Sequence, residues 1–457
     1  MTEQIRYQLP QSEIPRTWYN IAADLPPMAP AVNAKTGKAI TRDDMLRTTA
    51  PGLVDQELSR DPEIEIPEEV RQIYAQWRPT PLFRARRLER ELGTPAKIYY
   101  KYEGDAPTGS FKPNSSVPQV YYNKQAGRSM VVADTGAGQW GAAIAFAASL
   151  FDLKAKVFQV RVSVEQKPHR KTMMEAFGAE CIPSPSTETA AGRATLAEFP
   201  DHPGSLAVAK SEALQVVFDS PDTGYTRGSA ANHVCLHQTI IGQEAKRQLE
   251  LIDDYPDIVI GCAGGGSNLA GLAFPFLGGK LREGRDVRLI AVEPSACPTL
   301  TRGKIAYDHS DSGGMTPLQR MHTLGNGFVP PPVHAGGLRA HSIAPLISWA
   351  TELGHIEAIA ESQKRCFEAG IFFLRTEGVL AAPEATHAIR TAIDEAVKCR
   401  ETGEEKTILF GLTGHGNFDL SAYQRFAAGT LPDDSVSEEA LAVGLASIPE
   451  LPAGVQS

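Results

Sequence analysis

A lysine that follows Pro107-Thr108-Gly109-Ser110-Phe111 and precedes Pro113-Asn114 stands in an unusual place for a surface charge. Proline at 113 suits the first turn of a helix, and the positive end of that helix's dipole disfavours a protonated amine. An amine that gives up its proton readily forms imines, which makes Lys112 a candidate nucleophile; a solvated loop lysine fits this segment alone equally well. The second candidate is Gly264-Gly265-Gly266-Ser267-Asn268, directly after the apolar run DIVIGCA (257–263). Three glycines let backbone N–H groups crowd round a phosphate at a helix N-terminus, with Ser267 and Asn268 adding side-chain donors. No GKS or GKT follows, so the loop is not of the nucleotide-triphosphate type.

A third segment, Asp134-Thr135-Gly136-Ala137-Gly138-Gln139-Trp140-Gly141, carries a G-x-G-x-x-G pattern between a strand and a helix. A dinucleotide site needs an acid at the end of the next strand. The strand expected over 155–162 offers only Gln159 and Arg161 near its end, so an NAD reading lacks its partner and an NADP reading rests on Arg161. The same loop can instead bind a substrate carboxylate through its amides. Later, Glu384 sits on what reads as a short helix beyond an apolar turn, and Thr413 ends the strand 407–412 before Gly414-His415-Gly416. His233 and His237 lie four residues apart, but no third ligand of suitable spacing follows, and their helix looks apolar. They read as core residues, and no metal is expected.

These residues need a frame that holds loops at strand ends. From about residue 97 onward strands alternate with helices: strand 97–103, helix 109–126, strand 129–135, helix 140–151, strand 155–162. The alternation returns as strand 257–263, helix 268–277 and strand 287–293. Such units imply parallel sheets with right-handed crossovers. The expected organisation is an N-terminal extension (1–75) lying on the surface with a short helix near 41–48, and an N-terminal α/β domain (76–230) carrying Lys112. A C-terminal α/β domain (231–430) with the glycine loop and a polar tail (431–457) complete it. The fold class is α/β, two three-layer domains with mostly parallel sheets and a cofactor in the cleft between them.

Of the 457 residues 42% are hydrophobic and 22% charged, as in ordinary globular proteins, and the formal net charge of −9 argues against nucleic acid or a membrane surface as partner. Six scattered cysteines without a CxxC pair suit a reducing compartment, and the first ten residues do not read as a secretory signal. A cytoplasmic enzyme is the expectation.

The lysine after PTGS, the GGGSN loop, the TGAGQWG loop and the strand-end hydroxyl together resemble the β chain of tryptophan synthase, a fold-type-II pyridoxal-phosphate enzyme. Arg78-Pro79-Thr80-Pro81-Leu82, His322-Thr323-Leu324-Gly325 and His334-Ala335-Gly336-Gly337-Leu338-Arg339 are similar to its second, stand-alone class. The resemblance spans roughly residues 75–425. It implies that Lys112 is the Schiff-base lysine and α-proton base. Asn114, Gly264, Gly265, Gly266, Ser267, Asn268, Glu384 and Thr413 would contact pyridoxal 5'-phosphate. Thr135, Gly136, Ala137, Gly138 and Gln139 would bind the amino-acid carboxylate, and Asp134 and Glu384 would join Lys112 in catalysis. It implies tryptophan synthesis from L-serine (or O-phosphoserine) and indole, with a related β-replacement or serine/threonine deamination as the alternative. A homodimer without an α-chain partner and an optional monovalent cation (K+ or Na+) are further implications. Two positions depart from the family: Asp134 replaces the usual glutamate, and Phe111 the usual histidine.

Overall fold

The computed structural model describes residues 4–433 and 435–451. Its strands form two main sheets. The larger runs in the order Arg6–Tyr7, Leu82–Arg84, Lys97–Tyr102, Thr407–Leu412, Ile258–Cys262, Arg288–Pro294, Ile356–Glu361. The first two strands are antiparallel to their neighbours and the remaining pairings are parallel. The smaller sheet, Glu180–Ser184, Lys154–Val160, Met130–Thr135, Thr223–Thr226, is wholly parallel. The middle strands of the large sheet, TILFGL and IVIGC, are buried at every position because helices cover both faces; this is why they read as unbroken apolar runs instead of alternating ones.

The strands do not divide between the sheets at one point in the sequence. Lys97–Tyr102 pairs with Thr407–Leu412 over all six residues, so segments about 300 residues apart in the chain lie side by side. The chain then leaves through helix Pro113–Gln125 to build the smaller sheet and returns to the larger one at Ile258. Most sequence-assigned elements fall within a few residues of their expected places. Two differ in kind. The strand expected to 162 ends at Val160, and Arg161 opens helix Arg161–Gln166. Glu384 stands at the N-terminal boundary of an 18-residue helix, Ala385–Thr402, not on a short one.

The segment 1–75 enters the core instead of lying on it. Trp18, Leu53, Val54, Val70 and Tyr74 are fully buried, with the Trp18 ring 4.5 Å from that of His237. Its prolines break it into short pieces, each of which sinks an apolar side chain into the main body. The helix near residue 41 forms as Arg42–Leu46, held by a reciprocal Thr41–Asp44 capping box. His233 and His237 are interior residues: His233 Nδ1 lies 2.6 Å from Glu57, and His237 bridges Ser115 and Gln56. Among the described residues no group of three or more metal-ligating side chains converges, and no helix is long and apolar enough to cross a membrane.

One ionic network lies wholly inside. Arg78 donates to both oxygens of Glu244 (2.8 and 2.9 Å), to Glu103 (2.9 Å) and to Asn114 Oδ1 (2.8 Å). Lys101 Nζ donates to Glu244 Oε2 at 2.8 Å and to Gln248 Oε1 at 2.9 Å. Burial drives the Lys101 pKa down despite these carboxylates, while Arg78 and Lys101 hold that of Glu244 below the ordinary range against its own burial. The network joins the first turn of the Lys112 helix to the large sheet.

Candidate active site

The C-terminal ends of strands from both sheets face one cavity, with about 780 Å3 of space free of protein atoms including its mouth. Lys112, Asp134, Thr135, Gly136, Ala137, Gln139, the loop 264–268, Glu384 and Thr413 all line it. Segments more than a hundred residues apart thus converge where open α/β sheets bind ligands. Two expected contacts do not. Gly138 caps helix Gln139–Leu150 with φ +91°, away from the lining. The Asn114 side chain is committed to Arg78, Glu103 and Gln238, so it braces the lysine's helix from behind. The Arg161 guanidinium turns to the Pro185 carbonyl and is not part of this cavity.

The lysine's position follows from its turn being stitched to a strand end. Phe111 N donates to the Thr413 carbonyl (3.0 Å), and His415 N to the Gly109 carbonyl (3.1 Å). Lys112 is the boundary residue of helix Pro113–Gln125. Its Nζ donates to the Gly228 carbonyl at 2.5 Å and lies 4.7 Å from the Phe111 ring centre. Burial draws its pKa down to about 8, although Cys262, Glu384 and Asp134 pull the other way. Roughly a tenth of Lys112 is therefore an uncharged amine at neutral pH, far more than for an ordinary lysine.

The glycine loop forms a cradle that side chains would fill. A Cβ on Gly264 would meet the Gly337 carbonyl at 2.6 Å, and one on Gly265 would meet Ser229 Oγ at 2.1 Å. Gly266, at φ +92°, turns the chain into helix Ser267–Glu283, whose first N–H groups are aimed at the cradle. Asn268 Nδ2 donates to the Cys262 carbonyl (2.7 Å), fixing the loop to its strand. Among the described residues the hydrogen-bond partner of Thr413 Oγ1 is the Cys262 thiol, at 4.0 Å. On the opposite wall Glu384 accepts from Gly337 N (3.0 Å) and Gln139 Nε2 (3.4 Å). Lys167 Nζ lies 3.8 Å from Glu384 and 2.6 Å from Asp419. Burial works against ionising Glu384, but Lys167, the Gly337 amide and Arg170 hold its pKa down. Asp419, buried beside that charge, is pushed up instead.

Residues 73–414 match the family model described as pyridoxal-phosphate dependent enzyme. The chain belongs to the pyridoxal-phosphate dependent enzymes. Within them it falls in the group of tryptophan synthase beta chain 2. It is 53% identical to that protein of Aquifex aeolicus over 94% of this chain and 100% of the relative, and 52% identical to that of Thermotoga maritima over 91% and 98%. Among solved structures the fold is shared with a fungal L-serine ammonia-lyase from Rhizomucor miehei (TM-score 0.58, 17% identity, 76% of this chain and 97% of that one). It is also shared with O-acetyl serine sulfhydrylase isoform 3 from Entamoeba histolytica (TM-score 0.57, 17% identity, 82% and 95%).

The residues present fit pyridoxal phosphate. A lysine with a lowered pKa, a glycine cradle at a helix N-terminus and a lightly engaged hydroxyl share one cavity. Sequence reasoning missed Leu206, Lys210, Tyr225, Arg227, Gly228 and Ser229, all in the lining. Gly228 and Ser229 could have been found as a second strand-to-helix turn, between Thr223–Thr226 and Asn232–Gln238. Lys210 sits in the apolar helix Leu206–Asp219, where no local pattern marks it.

Proposed function

We propose that this chain makes L-tryptophan from L-serine and indole with pyridoxal phosphate as cofactor. The observation that carries the reading is the meeting of Lys112, the 264–268 cradle, the 135–139 loop and Thr413 in one cavity. The names of relatives about half identical over nearly the whole chain support the same reaction. Lys112 would hold the cofactor covalently, the amides and side chains of 264–268 its phosphate, and Thr413 its ring nitrogen, with Glu384 beside the ring. When bound, the cofactor supplies an electron sink for the substrate's α-carbon, a weaker one here because a threonine hydroxyl does not keep the ring nitrogen protonated, and this favours β-replacement over transamination.

The chain's own groups then divide the work. Amides of Thr135, Gly136, Ala137 and Gln139 orient the amino-acid carboxylate. Lys112 Nζ, with its pKa near 8, takes the α-proton and later returns it. Asp134 handles the proton of the departing hydroxyl and that of the indole N–H; its Oδ1 already accepts from the Tyr225 hydroxyl at 2.5 Å. Phe111, Trp140 and Leu206 supply apolar walls, and Gly337 and Leu338 help close the space against water. A homodimer that needs no α chain completes the reading; sedimentation of the purified protein tests it.

The decisive experiment feeds the cofactor-loaded protein L-serine with indole and follows products by mass spectrometry. Tryptophan is expected; pyruvate without tryptophan would instead establish β-elimination without indole as partner. Asp134→Glu, which restores the methylene this chain lacks, is expected to raise indole turnover severalfold, because displacement of a reacting group by about 1 Å costs on the order of a hundredfold. No gain in kcat would count against the role given to Asp134. Uptake of pyridoxal phosphate by the cofactor-free protein, followed by visible absorbance, tests the lysine's pKa. Only the uncharged amine reacts, so the rate should rise about tenfold per pH unit below 8 and level off above it. A rate flat between pH 6 and 9 would contradict the assignment.

A further inference from the structure

Two buried carboxylates meet at one edge of the catalytic cavity, and a single lysine lies between them. Glu384, at the start of helix Ala385–Thr402, lines the cavity; Asp419, at the start of helix Leu420–Ala427, does not. Lys167 reaches both from the smaller-sheet side, at the joint between helices Arg161–Gln166 and Pro168–Ala176. Its Nζ is 2.6 Å from Asp419 Oδ1 and 3.8 Å from Glu384 Oε1. All three residues are at most 3% exposed, so water screens none of these charges.

A buried contact of this kind can do no more than dock one element on another. Here its surroundings give it a second consequence. Arg170 and Arg339 also bear on Glu384, but each is engaged elsewhere. Arg170 Nη1 donates to the Thr108 carbonyl (2.8 Å) and its guanidinium lies over the Phe418 ring at 4.2 Å, while Arg339 donates to Ser163 Oγ (2.5 Å). Among the described residues Lys167 is the cation within ion-pair distance of Glu384. Burial draws His334 and His387 down to about 4 and raises the Cys262 thiol to about 12 and the Tyr423 hydroxyl further, so none of these neighbours is charged near neutral pH.

Two carboxylates that share one ammonium in a dry site do not both keep their charge. Against burial, Lys167, the Gly337 amide and Arg170 hold Glu384 down, whereas burial beside Glu384 pushes Asp419 up. The charge thus stays on the carboxylate that faces the cavity. There it is one of the groups that favour the protonated form of Lys112 Nζ, against that amine's own burial.

We infer that Lys167 is the positioning residue of Glu384: its ammonium, set between Glu384 and Asp419, keeps the cavity-facing carboxylate ionised, and through that carboxylate it governs how readily Lys112 gives up its proton. The inference rests on the proposed function, in which Lys112 and Glu384 face one bound cofactor. It gives Lys167, which does not line the cavity, a task that docking a helix would not require.

The test follows the pH dependence of pyridoxal-phosphate uptake by the cofactor-free full chain, without serine or indole. In Lys167→Met the Glu384 carboxyl is left buried without its ammonium and should hold its proton near neutral pH. Lys112 then loses a negative neighbour. The pH at which uptake levels off should fall by about one unit from about 8, with uptake below that pH about tenfold faster. A cation acting on Lys112 directly would give the opposite sign, because its removal favours the protonated amine. Glu384→Gln should shift the profile as Lys167→Met does, and the double variant no further. Lys167→Arg keeps the positive charge and should keep the levelling-off point, even where its bulk lowers the urea midpoint.

A profile left unmoved or moved upward by Lys167→Met, an equal shift from Lys167→Arg, or additive shifts in the double variant overturns the role. If Lys167→Met does not fold, the other two single variants decide: Lys167→Arg unmoved with Glu384→Gln lowered upholds the role, and any other result overturns it. No Schiff-base band in the unaltered protein would overturn the proposed cofactor chemistry and this inference with it. A normal band and tryptophan formation with an unmoved profile would overturn this inference alone.

Discussion

Replacing Lys112 by alanine should abolish the Schiff-base absorbance band of the cofactor-loaded protein and lower tryptophan formation by on the order of 10^4-fold or more, the scale seen when a covalent catalytic group is removed. The loss should be chemical, not structural. Lys112 Nζ makes one hydrogen bond, to the Gly228 carbonyl, and its helix is anchored independently through Asn114 and the Phe111–Thr413 backbone contact. Far-ultraviolet circular dichroism and the urea midpoint of the cofactor-free variant should therefore stay near those of the unaltered cofactor-free protein. Lys112→Arg keeps a positive charge near Phe111 and Trp140 but offers no amine that deprotonates, so it should fail equally. A variant of either kind that retained the absorbance would remove Lys112 from the role proposed for it.

Glu244→Gln carries the largest expected cost in stability, about 3–5 kcal/mol, the range found when one partner of a buried ion pair is removed. Glu244 accepts from Arg78 twice, from Lys101 and from the Thr80 backbone, all inside the protein. With its charge gone, Glu103 alone faces two buried cations. Urea unfolding of the cofactor-loaded protein should show the loss as a lowered midpoint. Restoring the carboxylate as aspartate should recover only part of it, since the shorter side chain cannot reach both Arg78 nitrogens. An unchanged midpoint would mean that the network contributes little beyond geometry.

Much of this architecture was legible in the sequence because its signals are local. A buried strand such as TILFGL is an unbroken apolar run, and GGGSN after DIVIGC marks a strand-to-helix turn without knowledge of the rest of the chain. The lysine after PTGS was less plain: its segment alone fitted a solvated loop equally well, and only the resemblance gave it a role. What could not be read depends on distant partners. Asn114 lies two residues from Lys112, yet its amide faces Arg78 and Glu103 because the helix turns that side towards the large sheet. Trp18 and Tyr74 lie in a stretch that reads as surface wrapping, and only the core they enter shows otherwise. Lys210 and Arg227 come from a helix and a strand end with no motif, and only the closure of the smaller sheet brings them beside Asp134. The family resemblance supplied roles that spacing alone left open, among them the choice between a dinucleotide and a carboxylate for the 135–139 loop.

The place of Thr407–Leu412 at the middle of the large sheet bears on how the protein comes into being. That strand is synthesised after both of its neighbours in the sheet, yet it separates Lys97–Tyr102 from Ile258–Cys262 and carries the turn that fixes the lysine. Until it inserts, the nascent large sheet is two fragments, each with an open edge. Pairing over about 300 residues of intervening chain has a high contact order, which slows folding and lengthens exposure of those edges. The smaller sheet, built from contiguous residues 130–226, has no such delay. Closure of the large sheet therefore waits for Thr407–Leu412, and a chain halted short of residue 407 should neither bind the cofactor nor remain long in solution.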